Sequence, residues 1–187
     1  EIYRDILLRA SDNIRRGPID RDRKNLLMRL QETIKGKVVL SNDEFYLKNK
    51  QGNLEFTLLA EGIRKLGLIW LLIQNGTLQN GSIIFWDEPE ANLNPKLIRP
   101  LVGILIELQK MGVQVFIATH SYVVVKEFEL QTKKDDKILY HSLYFETGDK
   151  DKENLLCLST PNYYDLKPND VLIAYDKILE DEIKRSL

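Results

Sequence analysis

The feature that most constrains this chain is a pair of short apolar runs, each ending in a polar cluster, with one helical stretch between them. Ser82–Trp86 runs into Asp87-Glu88-Pro89-Glu90, and Val113–Ala118 runs into Thr119-His120-Ser121. Runs of this length and character read as strands buried on both faces of a parallel sheet. Pro95–Lys110 reads as a helix. Proline is tolerated at its first position, and Gly112 ends it. Strand, helix and strand at these lengths predict a βαβ unit. Both polar clusters then fall at the C-terminal ends of strands, where ligands bind in open α/β sheets.

The rest of the chain arranges itself around that unit. Residues 1–36 read as a helical segment split at Gly17-Pro18, with apolar residues at Ile2, Ile6, Leu7 and Ile14, then at Leu26, Leu27, Leu30 and Ile34. Residues 37–187 form the second part. Lys37–Leu40, Glu44–Lys48 and Leu54–Leu58 read as strands, the last two joined by the turn Asn49–Asn53. Ile63–Gln74 reads as a helix. Ile138–Phe145 and Leu155–Leu158 read as an antiparallel hairpin around the charged turn Thr147–Asn154, and a terminal helix starts at Pro168. The fold class expected is α/β, with a mostly parallel sheet flanked by helices.

Composition narrows the function. The chain has 187 residues, 43% hydrophobic and 29% charged, an ordinary globular balance. Its net charge of −1 provides no overall positive field for nucleic acid or a membrane surface. The longest apolar run, Leu66–Ile73, is far short of the ~20 residues that span a bilayer. The one cysteine, Cys157, forms no internal disulfide and fits a reducing compartment, so a cytoplasmic location is expected. Charge is uneven: residues 1–37 hold 10 Lys/Arg and 6 Asp/Glu. Arg15, Arg16, Arg21, Arg23 and Lys24 could meet DNA phosphates, but a solvated helical arm is the preferred reading.

Chemistry concentrates after the first apolar run. Asp87 is placed to hold a hard cation such as Mg²⁺, directly or through its waters. Glu88 is placed to orient or deprotonate an attacking water. The alternative is an acidic pair that only faces solvent. His120 could donate to a phosphate oxygen if its strand neighbours the first one; a histidine standing alone is more often structural. Ala91–Asn94 leads into a helix N-terminus, where free backbone N–H groups bind anions or a partner, and Asn94 also reads as a simple cap. Gly62, opening the Ile63 helix, permits close backbone approach.

Asp-Glu-Pro-Glu-Ala-Asn-Leu-Asn-Pro after an apolar strand, followed by a strand ending Ala-Thr-His-Ser, resembles the C-terminal half of ABC-type P-loop ATPase domains. The resemblance is to bacterial AAA-family ATP-binding proteins related to RecF, SMC and the OLD ATPases. It covers Thr57 to Ser121. It implies ATP and Mg²⁺ as ligands, Asp87 and Glu88 as Walker B acids, with Asp87 on Mg²⁺ and Glu88 as catalytic base. It makes His120 the switch histidine on the γ-phosphate and Ala91–Asn94 the D-loop, with Asn92 and Asn94 near nucleotide. Leu59–Ile63 becomes the signature segment, in which Ala60, Glu61 and Gly62 complete the site of a second subunit. It further implies a head-to-tail homodimer, a DNA or protein partner and no membrane. Ala60 stands where serine is usual in the signature, and Asn94 where transporter-type ATPases carry aspartate. The sequence has no G-x-x-x-x-G-K-[ST] phosphate loop. With Glu1 as first residue, the expectation is a fragment whose phosphate cradle lies upstream and which is inactive alone. The competing expectation is complementation by another polypeptide.

The alternative function is a nucleotide-dependent or DNA-associated interaction module without turnover, against which Glu88 argues. A transporter ATPase subunit is disfavoured by the wording of the acidic segment and the degenerate signature. Asp149, Asp151 and Glu153 alternate like calcium ligands but lack the interior glycine and closing glutamate of an EF-hand, so a solvated turn is expected. Cys157 reads as a buried small hydrophobe, His141 has no role, and Ser121 reads as a helix cap.

Overall fold

The computed structural model describes residues 6, 8–10, 20–41, 44–146 and 154–186. The helix break at Gly17-Pro18, Arg15 and Arg16, and the acidic turn with Asp149, Asp151 and Glu153 lie outside the described residues. The chain divides into two compact units, Glu1–Thr119 and His120–Leu187.

In the first unit residues 6 and 8–10 are helical, and the first helix described throughout is α1, Arg21–Ile34. Asp20 caps it, accepting from the Arg23 N–H at 2.9 Å, and Lys35 closes it with a left-handed φ of 56°. Leu26, Leu27, Leu30 and Ile34 are the buried stripe, spaced as an amphipathic helix requires. An antiparallel sheet follows in the order β1 (Lys37–Ser41), β2 (Glu44–Asn49), β3 (Gly52–Glu55). Asn49 pairs with Gly52 across a two-residue turn, where Gly52 adopts φ 129°. The third strand was expected at Leu54–Leu58; instead it stops at Glu55, and Phe56–Leu58 form a 3₁₀ turn. Phe56 is buried there, with its ring in the space that a Cβ on Gly67 would need.

Helix α2, Glu61–Gln74, is the centre of this unit. Every residue from Leu66 to Ile73 is buried, so the helix is apolar all round rather than striped. β4 (Ile83–Asp87) and β5 (Gln114–Ala118) pair in parallel, joined through a 3₁₀ turn (Pro95–Leu97) and α3 (Ile98–Lys110). The helix starts three residues later than expected because Pro95 opens the 3₁₀ turn, and it ends at Lys110 as expected. Leu101, Val102, Ile104 and Leu108 of α3 are fully buried. The βαβ unit is therefore present, within a mixed α/β fold whose remaining strands pair antiparallel.

Burial of the two parallel strands differs from expectation. Phe85 is 76% exposed, Ile83 56% and Phe116 40%. The Phe85 and Phe116 rings stack at 4.7 Å on this open face. Ile84, Trp86, Val115 and Ile117 point the other way and are half-buried. Among the described residues of the first unit no element covers the open face, which is why an apolar run did not yield a strand buried on both sides.

The second unit holds α4 (Tyr122–Gln131), the antiparallel pair β6 (Tyr140–Glu146) and β7 (Asn154–Thr160), a 3₁₀ turn (Tyr163–Asp165) and α5 (Asp170–Ser186). Ser121 caps α4, accepting from the Val124 N–H at 3.4 Å. Val124, Tyr163 and Leu166 are buried, and the Tyr163 hydroxyl donates to Asn169 at 3.3 Å. Burial raises the Tyr163 phenol above its ordinary value of 10.0. The Lys167–Pro168 peptide is cis. Tyr122 stacks on Tyr175 at 3.7 Å, joining α4 to α5.

Candidate functional site

The parallel register sets the acids. Asp87, the last residue of β4, pairs with Ala118, the last of β5. The strand does not simply stop after Asp87. The Glu88 N–H donates to the Ala118 carbonyl at 2.8 Å, which continues the ladder by one bond. Glu88 itself has φ 44°. A left-handed conformation costs a residue with a Cβ on the order of 1–2 kcal/mol, and such strain persists where surrounding bonds over-determine it. Here the Ala91 N–H closes onto the Glu88 carbonyl at 3.0 Å, and the Leu93 N–H onto the Glu90 carbonyl at 2.9 Å. Pro89, which cannot donate to the ladder, is buried inside this turn. The outcome is an exposed Asp87 carboxylate and a half-buried Glu88 on a tight, bonded loop at the C-terminal edge of the sheet.

A second cluster forms where the loop meets α2. The Asn92 side-chain amide donates to Glu61 at 2.6 Å, and the Lys65 ammonium to the Ala91 carbonyl at 3.0 Å. Lys65 and Glu61 also pair at 3.5 Å on the helix surface. Asn92 adopts φ 60°. Gly62 makes this approach possible: an added Cβ would lie 2.6 Å from Leu93 Cδ1 and 2.9 Å from the Asn92 carbonyl oxygen. The close backbone approach expected at Gly62 is made here by the chain's own Asn92–Leu93 segment. Ala60 stands at the helix N-cap and supplies no side-chain cap bond. Asn94 acts as a cap, accepting from the Lys96 N–H at 3.0 Å. Lys35, Ala60, Gly62, Asn92, Asn94 and Lys96 line an open hollow of about 400 Å³.

The structure therefore brings Ala60, Glu61 and Gly62 together with Asn92 and Asn94, and sets Asp87 beside Glu88 at the strand end. His120 is exposed and stands two residues beyond β5, as the first residue of the second unit. Three pairings were not foreseen from sequence. Glu90 accepts from the Thr119 hydroxyl at 2.5 Å, Lys65 ties down Ala91, and Glu61 finds Asn92. Glu90 was visible in the acidic run, but only pairing of β4 with β5 brings Thr119 to it.

The donor set at the strand end suits a hard cation. No group of three or more His, Cys, Asp or Glu that could hold a metal occurs among the described residues. One or two carboxylates with waters and substrate phosphates is how Mg²⁺ is ordinarily held, so Asp87, with Glu88 next to it, fits that ion. No helix among the described residues is long and apolar enough to cross a membrane.

Several solved structures are similar to this chain in fold. A solved Smc head bound to the C-terminal winged-helix domain of ScpA aligns with a TM-score of 0.52 at 13% identity, over 78% of this chain and 44% of that one. An SMC ATPase from work on ATP-driven dimerization and DNA-stimulated activation aligns at 0.49 and 14%, over 86% of this chain and 89% of that one. A Smc head with an extended coiled coil, bound to the C-terminal domain of ScpA from Pyrococcus furiosus, aligns at 0.47 and 13%, over 86% and 37%. The chain thus spans less than half the length of the two ScpA-bound heads. No curated protein matches it. The profile of one family, described as "AAA domain, putative AbiEii toxin, Type IV TA system", matches residues 5–126. With more than half of its length in that match, the chain belongs to this AAA-domain family, and its fold is that of part of an SMC-type ATPase head.

Proposed function

We propose that this chain is the part of an ATPase domain that carries the water-activating machinery, and that the whole protein binds and hydrolyses Mg-ATP. The observation that carries the reading is the strained Glu88 at the C-terminal edge of β4, directly after Asp87. A turn bonded on three sides is a costly way to end a strand unless the carboxylate must be held in one place. Asp87 holds Mg²⁺ through its oxygen or the ion's waters, and the ion neutralises charge on the phosphates when bound. Glu88 orients the attacking water and takes its proton. His120 donates to the γ-phosphate, and the phosphate cradle and its lysine come from a segment outside this chain.

The Gly62 end of α2, with Asn92 and Asn94, is the surface offered to a second head. Backbone N–H groups there suit a phosphate, and Lys35 and Lys96 on the same hollow add positive charge. ATP then joins two heads head to tail, and hydrolysis releases them. DNA or a further protein is the partner that such a clamp acts on, and the compartment is the cytoplasm.

The test is ATP turnover by the natural protein that contains these residues, alongside the 187-residue chain alone. The longer protein is expected to turn over ATP, to lose about 10²-fold or more with Glu88→Gln, and with Asp87→Ala to lose turnover and need more Mg²⁺ for what remains. The isolated chain is expected to show little or none. Robust turnover by the chain alone, or a Glu88→Gln variant as active as wild type, would overturn the reading. ATP-dependent association of the longer protein without turnover would favour the non-hydrolysing interaction module.

A further inference from the structure

The loop from Glu88 to Ala91 is fastened to the end of β5 by a side-chain bond as well as by a backbone bond. The Thr119 hydroxyl donates to Glu90 Oε1 at 2.5 Å, next to the 2.8 Å bond from the Glu88 N–H to the Ala118 carbonyl. The other Glu90 oxygen, Oε2, is buried and has no hydrogen-bond partner in the protein. A carboxylate oxygen removed from bulk solvent without a donor is unfavourable, and native structures satisfy such atoms with protein groups or ordered water. Glu88 and Asp87 stand two and three residues back along the same loop, so a water donating to Oε2 would lie at the edge where the reaction is placed.

We propose that Glu90 is a positioning residue with two separable tasks. Through Oε1 it clasps Thr119 and keeps the Glu88 backbone in its left-handed conformation. Through Oε2 it accepts a hydrogen from a water molecule and so helps to orient solvent beside Glu88. This rests on the reading of Glu88 as the water-activating base. Glutamine separates the tasks: its carbonyl can still accept from Thr119, while its NH₂ in place of Oε2 offers a donor where an acceptor is needed.

The first readout is amide hydrogen exchange by NMR on the 187-residue chain, which does not depend on turnover. Glu90→Ala and Thr119→Val are each expected to speed exchange of the Glu88 and Ala91 amides by at least about tenfold while leaving the β1–β2 amides unchanged. Glu90→Gln is expected to retain protection. The second readout is turnover by the longer natural protein. There Glu90→Gln is expected to lower kcat by about tenfold or more with KM for ATP within about twofold. Unchanged exchange in Glu90→Ala would overturn the clasp, and wild-type kcat in Glu90→Gln would overturn the water. Failure of the underlying function reading looks different: Glu88→Gln would then leave turnover intact while the exchange results stand. If Glu90→Ala does not fold, Thr119→Val carries the first test.

Discussion

Replacing Gly62 with alanine probes the contact between α2 and the loop that follows the acids. The added Cβ would meet Leu93 Cδ1 at 2.6 Å, the Asn92 carbonyl oxygen at 2.9 Å and Leu93 Cα at 3.0 Å. The first of these is the end of a side chain and can swing away. The other two are backbone, in a loop fixed by the Asn92–Glu61 and Ala91–Lys65 bonds, and cannot. Overpacking of this kind costs about 1–3 kcal/mol, and alanine's better helix propensity offsets up to about 1 kcal/mol. The net loss expected is about 1–2 kcal/mol, a fall of about 3–8 °C in Tm for a unit of this size. Thermal unfolding followed by circular dichroism and tryptophan fluorescence measures it. Adding Leu93→Ala removes only the side-chain part of the clash, so less than half of the loss should return. Gly52→Ala is the contrasting case: nothing lies within 4 Å, and only its φ of 129° resists a side chain. A Gly62→Ala protein as stable as wild type, or one fully rescued by Leu93→Ala, would show that the loop does not press on α2 in this way.

Other consequences are quicker to check. Cys157 is exposed, so it should react fully with an aromatic disulfide reagent in the native state, without denaturant. Leu101 is 0% exposed in α3, and Leu101→Ala should cost about 2–5 kcal/mol in chemical denaturation. Burial raises the Tyr163 phenol above 10.0, so stability from the neutral form is complete below pH 10 and lost as pH rises past its folded value. Tyr46, Tyr122 and Tyr140 are raised as well, so absorbance titration near 295 nm should show a late-ionising group of tyrosines whose amplitude falls by one residue in Tyr163→Phe.

The elements that the sequence made legible are those whose pattern is local. β4 and β5 were placed within a residue, because an apolar run followed by Asp-Glu-Pro or Thr-His-Ser has an unambiguous end. The caps Asn94 and Ser121 were legible for the same reason: each needs only the backbone two or three residues on. Burial was not legible, since it belongs to neighbours rather than to the run itself. Phe85 and Phe116 have the composition of a covered strand, yet no described element of the first unit lies over them. Cys157 was expected inside and is on the surface, because β6 and β7 pair to form a ribbon whose one face has no described cover. There the Cys157 sulfur lies 4.0 Å from Nδ1 of His141, a neighbour that only strand pairing supplies. At the candidate site the acids were legible and their clasp was not. Glu90 and Thr119 are 29 residues apart and meet through the register of two parallel strands.

The burial of α2 has a mechanical consequence. At 1.5 Å per residue its 14 residues make a rod about 21 Å long, packed on all sides from Leu66 to Ile73. One end is bolted to the Ala91–Asn92 loop by Lys65 and Glu61. At the other end the side chain of Asn75 grips the carbonyl of Arg9 at 2.6 Å. A rod packed along its length and tied at both ends resists bending, so the Ala91–Asn92 loop and the Arg9 carbonyl are kept at a fixed spacing.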